Sequence, residues 1–361
     1  MIMSEKGKQH VDSCRFCWMC HHICPIGNAT GHERSTPRGR ALGISLVNRG
    51  AIELEDIMDN IYECAGCGGC VRECVTGWDP VMFTREVRLA AALEDKLPSY
   101  INTLVDNCLE VGNAYGKTAL CDKLAATISA HGEKTDVLLF LGADARYMVP
   151  QQAIKAINVL EKAGVKFTVL ADELASGSQL DFLIGAAEET KEQMTAAAKV
   201  MNEYKTVVFY DPVDAKAVKQ TYGTYGIELG FKAVTYTSFL ASLLKDGSLK
   251  AANKGKTVVY QDPFQLARDL EETEEAREVI SAFAELHEMH LVKGETVWAG
   301  NILMAQYMPE VMKLVAERRI LNAKSLSENV IVTACVSEYV ALKNVGDDSV
   351  EILSLEDLIL D

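Results

Sequence analysis

Residues 14–25 read CRFCWMCHHICP: four cysteines at gaps of two, two and three, followed at once by proline. The rhythm returns at 64–74 as CAGCGGCVREC. Eight of the 11 cysteines of this 361-residue chain fall in these two runs, so the fold must be built around whatever those sulfurs hold. Disulfide scaffolds belong to short secreted chains, whereas crowded cysteines in a longer chain hold metal. Structural zinc takes pairs of cysteines parted by a long loop and has no use for a third two residues on.

The spacing Cys14, Cys17, Cys20, Cys24 with Pro25 is the bacterial run that ligates an iron–sulfur cube. Three thiolates at gaps of two wrap three corners of one cube, and the fourth cysteine reaches the other cube. Cys14, Cys17, Cys20 and Cys74 are therefore assigned to one 4Fe-4S cluster, and Cys64, Cys67, Cys70 and Cys24 to a second. The glycines of CAGCGGC suit a loop that passes close to inorganic sulfur and needs positive φ. Val75 stands where the first run has proline, with Pro80 only later, but that proline shapes a loop exit and is no ligand. With every iron given a cysteine, the assignment leaves no open corner for substrate.

The rest of the composition narrows the partners. Lys plus Arg number 36 against 51 Asp plus Glu, a net charge of −15, which disfavours a nucleic-acid partner. The start MIMSEKGKQH lacks the apolar core of a secretory signal, and the longest apolar runs fall far below the roughly 18 residues of a membrane span. The expectation is a soluble cytoplasmic protein that meets a membrane only through a partner.

Between and after the runs, STPRGRALGISLVNRG offers Thr36 as N-cap, Pro37 in the first turn and Gly50 beyond the end of a helix. Residues 52–64 and 80–96 read as two more helices, which gives a helical two-cluster domain over 1–100. Arg38 and Arg40 open the first of these helices; they are read equally as solvated charges or as groups that raise a cluster's potential or dock a partner. His21 and His22, inside the first run, are read as loop packing.

A linker is expected over 101–133. From residue 134, strand-like segments (134–142, 165–172, 204–211, 232–238) alternate with helical ones, the signature of α/β units with mostly parallel sheets. The series then restarts. KTDVLLFLGADAR (134–146) aligns without gaps to KTVVYQDPFQLAR (256–268), LASG (174–177) to VWAG (297–300), and VVFYDPVDAKAVK (207–219) to IVTACVSEYVALK (331–343). Two duplicated α/β lobes, 134–250 and 251–361, are expected to follow the helical domain.

Cluster runs, linker and two lobes together resemble the iron–sulfur subunits of heterodisulfide reductase, anaerobic glycerol-3-phosphate dehydrogenase and glycolate oxidase. CLEVGNAYGKTALCDKL (108–124) looks like that family's linker, with Ala114 for its proline, and YQDPFQLAR (260–268) looks like its Tyr-His-Asp-Pro-Cys-His motif. The resemblance implies degenerate cysteine-rich lobes. Where the family places cysteines, this chain has Ala143 or Asp144, ASG (175–177), Asp211 and Asp214, then Phe264, WAG (298–300), Cys335 and Glu338. Only Cys335 survives, so the disulfide-cleaving clusters of heterodisulfide reductases are not expected. Asp211, Asp214 and Glu338 are read as surface carboxylates in preference to a hard-metal site. Phe264 and Trp298 are read as filling a void, and Cys108, Cys121 and Cys335 as buried small hydrophobes.

The function expected is an electron-transfer iron–sulfur subunit of a flavin-dependent oxidoreductase of anaerobic metabolism, within a hetero-oligomer. Its partners would be a flavoprotein dehydrogenase subunit with an electron-transferring flavoprotein, ferredoxin or quinone-linked acceptor. No nucleotide-binding glycine fingerprint is present, so the flavin is assigned to the partner. The alternatives are a reductase with substrate between the lobes and a structural or assembly subunit.

Overall fold

The computed structural model describes residues 1, 3–252 and 255–361. Among these, no strand precedes Val137. Thr36 caps the helix Pro37–Asn48, its hydroxyl accepting from the Gly39 N–H, and Pro37 sits in the first turn, where its missing N–H costs nothing. Asp79 and Pro80 open the helix Pro80–Leu93 in the same way. These helices and Glu5–Val11 pack together around Ile44, Leu54, Ile61, Phe83 and Val87.

The stretch expected as one helix over 52–64 is instead a 3-10 turn, Glu55–Ile57, followed by Met58–Tyr62. Ile57, at φ −110° and ψ −5°, bends the chain between them. The segment expected as a linker carries the helices Ser99–Val111 and Asp122–Ser129. Ile101, Leu104, Val105 and Cys108 recur along one helical face and enter the same core. Cys121 is exposed just before the second of these helices, so it is not the buried hydrophobe expected.

The remainder is α/β, with two all-parallel sheets. The first contains β1 (Val137–Phe140), β2 (Thr206–Phe209) and β3 (Lys232–Thr235), in the order β1-β2-β3. The second contains β4 (Thr257–Gln261), β5 (Glu285–His287), β6 (Val330–Thr333) and β7 (Glu351–Ser354), in the order β5-β4-β6-β7. The strand expected at 165–172 shrinks to one bridge, Leu138 to Thr168, beside β1, the strand that corresponds to β4 with its neighbour β5. With that bridge counted as a strand remnant, the two sheets share one order. The strand expected to run to residue 238 stops at Thr235, whose hydroxyl turns to cap the helix Tyr236–Lys245.

The repeat extends to side chains. Arg146 and Arg268, aligned in sequence, each sit in a π-helical turn after a first strand. Arg146 donates to the carbonyls of Leu170 and Ala171, and Arg268 to those of Gly294 and Thr296. The lobes share one hydrophobic core that runs from Leu139 and Tyr210 to Tyr260 and Val332. Gln152 ties them further through bonds to Ser354 and Asp357 of 2.7 and 2.9 Å.

The helical part and the lobes are joined at the cysteine runs. The helix Pro309–Lys324 packs on Pro25–Thr30, and Phe264 and Trp298 cluster with Cys24, Ile26 and Ala65. Trp298 is 2% exposed. Trp298→Ala is expected to cost about 3–5 kcal/mol; denaturant unfolding should show an earlier transition while far-ultraviolet dichroism of the unperturbed protein stays the same.

Candidate iron–sulfur centre

The second cysteine run is buried where it meets the lobes. Cys24, Cys64, Cys67 and Cys70 line one cavity of about 300 Å³, together with Pro25, Pro37, Arg40, Gly66 and Gly68. The first run's last cysteine is thus brought to the second run's first three. The helix Met19–Ile23, which carries Cys20, packs against Gly69–Arg72, which carries Cys70. Among the described residues, no three of His, Cys, Asp or Glu gather tightly enough for a single metal ion. A cluster differs in this respect, because its own core holds the thiolates apart.

Whether the cavity suits such a cluster can be tested on its unmet needs. Arg40 is 2% exposed, donates from one terminal nitrogen to the Ser35 carbonyl at 2.9 Å, and leaves its buried Nε without a partner. Burial alone would lower the Arg40 pKa, but the sulfurs of Cys64, Cys24 and Cys70 outweigh it and drive the value up. Burial conversely pushes the Cys70 thiol well above its usual range, further raised by Cys67, Cys64 and Cys24. Thiols so placed stay protonated unless a metal takes the proton's position. The orphaned guanidinium nitrogen calls for an anionic acceptor, and the sulfurs call for iron. Gly66 and Gly68, at φ 65° and 71°, supply the left-handed turns, with open space where a Cβ would stand. The residues fit the group.

Backbone donors already point at sulfur. The Gly66 N–H lies 3.4 Å from Cys64 Sγ, Gly27 N–H 3.4 Å from Cys24 Sγ, and Phe16 N–H 3.4 Å from Cys14 Sγ. Two further arginines clamp the second run from outside. Arg88, fully buried, donates to the carbonyls of Cys64 at 2.7 Å and Ile61 at 3.1 Å. Arg268, from the second lobe, donates to the Cys67 carbonyl at 2.5 Å. Neither is read from the sequence as a site residue; Arg268 stands out there as a repeat position and as the last residue of YQDPFQLAR.

The first run differs in exposure. Cys20 is buried, Cys14 and Cys74 are half-buried and Cys17 is exposed. Cys20 is pushed up to about 11, mainly by burial and then by Cys14 and Cys24. Cys74 receives hydrogen bonds from its own loop, with Thr76 Oγ1 at 3.3 Å. Phe16 and Trp18 take the left-handed positions that Gly66 and Gly68 occupy in the second run, at φ 56° and 67°. Each such non-glycine residue costs on the order of 1–3 kcal/mol. His21 and His22, read as packing residues, instead stand half exposed, 3.7 Å from Glu33 and 3.8 Å from Glu73. Arg38 lies over the Phe16 and Trp18 rings, 5.0 and 4.5 Å from their centroids.

A larger cavity, about 1120 Å³, opens where the helical part and both lobes meet, from Ala65 and Gly66 to Asp144, Asp211, Asp214 and Phe264. Asp211, Asp214 and Glu338 were expected on the surface and are all buried. Asp214 accepts from Ser176 at 2.5 Å and Ser178 at 2.9 Å, and Gly142 has no Cβ because one would fall 2.1 Å from its carboxylate. Asp144 accepts from Ser337 across the lobes at 2.5 Å. Burial raises Asp211 well above the carboxylate range, with Asp144 and Asp214 adding to it, and raises Asp214 to about 7. Cys335 is buried nearby, its thiol pushed well up by burial and by Asp211 and Glu338. Asp211, Asp214 and Glu338 are thus buried acids, and the charges of Asp144, Asp214 and Glu338 all bear on Asp211.

This fold and this site define an iron–sulfur electron-transfer protein. The family described as "4Fe-4S dicluster domain" matches residues 10–78. A polypeptide of the dihydromethanophenazine:CoB–CoM heterodisulfide reductase of Methanosarcina acetivorans is 27% identical over 357 residues, covering 90% of this chain and 86% of its own. Its counterpart in Methanosarcina mazei matches equally, at 27%. An uncharacterized iron–sulfur protein of Methanocaldococcus jannaschii is 23% identical, covering 92% of this chain and 67% of its own. Over most of its length the chain is thus similar to iron–sulfur proteins of the heterodisulfide reductase type, with a 4Fe-4S dicluster domain near its start.

Glu338 gives the lobe interior a pH signature. Its carboxyl accepts from Gln261 at 3.1 Å and from the Ala299 N–H at 3.3 Å, and burial pushes it up to about 8. The folded state therefore holds a proton that the unfolded chain gives up near pH 4–5. The associated stability is fully present below that range and is lost as pH rises towards 8. Glu338→Gln should match the parent's thermal stability at pH 4 and increasingly exceed it as pH rises to 8, by about 4 kcal/mol at most; melting curves across that range check it.

Proposed function

We propose that this chain relays single electrons through two 4Fe-4S clusters between a flavoprotein subunit and a further acceptor or donor. Cys14, Cys17, Cys20 and Cys74 would hold one cluster, and Cys64, Cys67, Cys70 and Cys24 the other. The observation that carries this reading is the buried cavity in which Cys24 joins Cys64, Cys67 and Cys70 around the unpartnered Arg40 nitrogen. When bound, such clusters store and pass one electron at a time. The chain's own residues set the conditions: Arg40 and the glycine amides offset negative charge, while Trp298, Phe264 and the two carbonyl-clamping arginines keep water from the second run.

The division that goes with this reading is a helical domain over 1–100, a connecting segment over 101–133 and lobes over 134–250 and 251–361. The Methanosarcina relatives are named as subunits, and on that likeness we infer a hetero-oligomer with flavin in a partner.

Iron and acid-labile sulfide assays on protein prepared without oxygen should give about two cubes per chain, bleached by dithionite. Zinc, or a single cube, would sink the assignment. Changing Cys64, Cys67 and Cys70 together to Ser should remove one paramagnetic signal and leave the other. Arg40→Gln should keep both clusters and lower one midpoint potential by roughly 60 mV, because a fixed positive charge favours the more negative reduced state. An unshifted potential in redox titration would deny Arg40 that part.

The larger cavity favours a second reading, a reductase whose substrate sits between the lobes beside Ala65 and Gly66, with Asp214 as proton donor. Turnover of a small organic substrate by the isolated chain with an artificial electron donor would favour it over the relay.

A further inference from the structure

The two cysteine loops are built to one backbone plan and decorated in opposite ways. Two and four residues after its first cysteine, each loop turns left-handed: Gly66 and Gly68 in the second run, Phe16 and Trp18 in the first. Glycine adopts that backbone without strain and an aromatic residue does not. Folding alone would therefore favour glycine at all four positions. The aromatic rings gain no burial in exchange: Phe16 is 63% exposed, Trp18 51% and the adjoining Met19 42%. Together with Arg15 and Cys17 they form an unbroken exposed run, residues 15–19, on the loop that carries three of the eight cluster cysteines. Strain kept without burial points to a surface that is covered by something else.

The charge around the rings indicates what covers it. Residues 1–50 carry seven Lys and Arg against three Asp and Glu, within a chain of 36 against 51. Glu33 lies 3.8 Å from Arg38 and 3.7 Å from His21, and Glu73 lies 3.8 Å from His22, so the nearest acids are already engaged. Arg15 is exposed and has no hydrogen bond or ion pair among the described residues. Arg38 holds its guanidinium over both rings, which makes the apolar patch locally cationic.

We propose that Phe16, Trp18 and Met19, flanked by Arg15 and Arg38, form the docking face for a small acidic redox protein, one whose cofactor edge is ringed by carboxylates. This deepens the relay reading and rests on it. The rings supply the dry centre of a transient contact and the arginines supply steering and register. Cys17 lies between the two rings in sequence, so the contact brings the partner's cofactor to the exposed edge of the first run, while the second run stays covered by the lobes.

The test uses the full chain with its clusters loaded and, as probe, an acidic ferredoxin carrying two 4Fe-4S clusters. Binding is followed by calorimetry, and electron transfer by stopped flow across a salt series. In Phe16→Gly with Trp18→Gly, cluster content and melting temperature should hold or rise because strain is relieved, while binding weakens at least tenfold. Arg15→Glu should weaken binding about tenfold and flatten the salt dependence.

Undiminished binding in the double glycine variant overturns the proposal, as does loss of its clusters, which would give the rings a structural role. Binding to vesicles of phosphatidylglycerol, or self-association through the same residues, in place of ferredoxin binding overturns it too. A parent chain that takes up no iron sinks the underlying relay reading; intact clusters with ferredoxin binding indifferent to these residues sink this proposal alone.

Discussion

Sulfurs held out of water around a single buried guanidinium are the constraint on which the rest of this structure depends. A thiol at the position of Cys70 resists ionisation because burial and three neighbouring sulfurs all oppose it. Removing several anionic ligands from water is tolerable only where cation, metal and amide dipoles replace the lost hydration. Arg40 stands at the contact of all these needs, which is why the helix Pro37–Asn48 must begin where it does. The Thr36 cap and Pro37 set that start, and Arg40 then enters the helix with its side chain committed to the cavity. A helix shifted by one residue would turn that side chain about 100° away.

The lobes extend the same logic outward. They contribute Trp298 and Phe264 as a hydrophobic cover and Arg268 as a clamp on the Cys67 carbonyl. In sequence Trp298 and Phe264 read as filling a void; in the structure they pack over the neighbouring cysteine loop. Asp211 and Asp214 of the first lobe and Glu338 of the second form a second buried polar set, and burial raises the pKa of each, which disfavours the ionised form. Neutral acids can share an interior with the negatively charged sulfurs, where ionised ones would repel them.

What could be read from the sequence follows how local each signal is. The Thr36–Pro37 cap, the helix start at Pro80 and the repeat of first strand plus arginine are written within a few residues, and the structure has them where expected. Residues 52–64 carry helical periodicity, but a backbone bend at Ile57 divides them, and periodicity does not register a single bent residue. The second strand of the first lobe has the β-branched and aromatic pattern of its partner, and only tertiary placement decides that it makes one bridge. Burial of Asp211, Asp214 and Glu338 was missed because strand ends usually meet solvent, and nothing local announces that two lobes and a helical domain close over these. Arg88 was missed for a similar reason: its carbonyl partners Cys64 and Ile61 lie 24 and 27 residues upstream, in and just after the helix Met58–Tyr62, and no motif encodes them.

The opposite dress of two equivalent loops gives the molecule a direction. Gly66 and Gly68 supply the left-handed turns of the second run without strain, and Gly69 keeps it slim, since a side chain there would press on Ile23 at 3.1 Å and meet Arg268 at 3.5 Å. The first run has no cover to fit under and carries the bulkiest residues available at the same backbone positions. If both loops were slim and sealed, no partner could approach within transfer distance; if both were bulky and open, the lobes could not seat and the buried arginines would lose their acceptors. One exposed loop and one enclosed loop, with Cys24 of the first placed beside the second, is the arrangement that the proposed relay would use to receive an electron at the surface and hold it away from water.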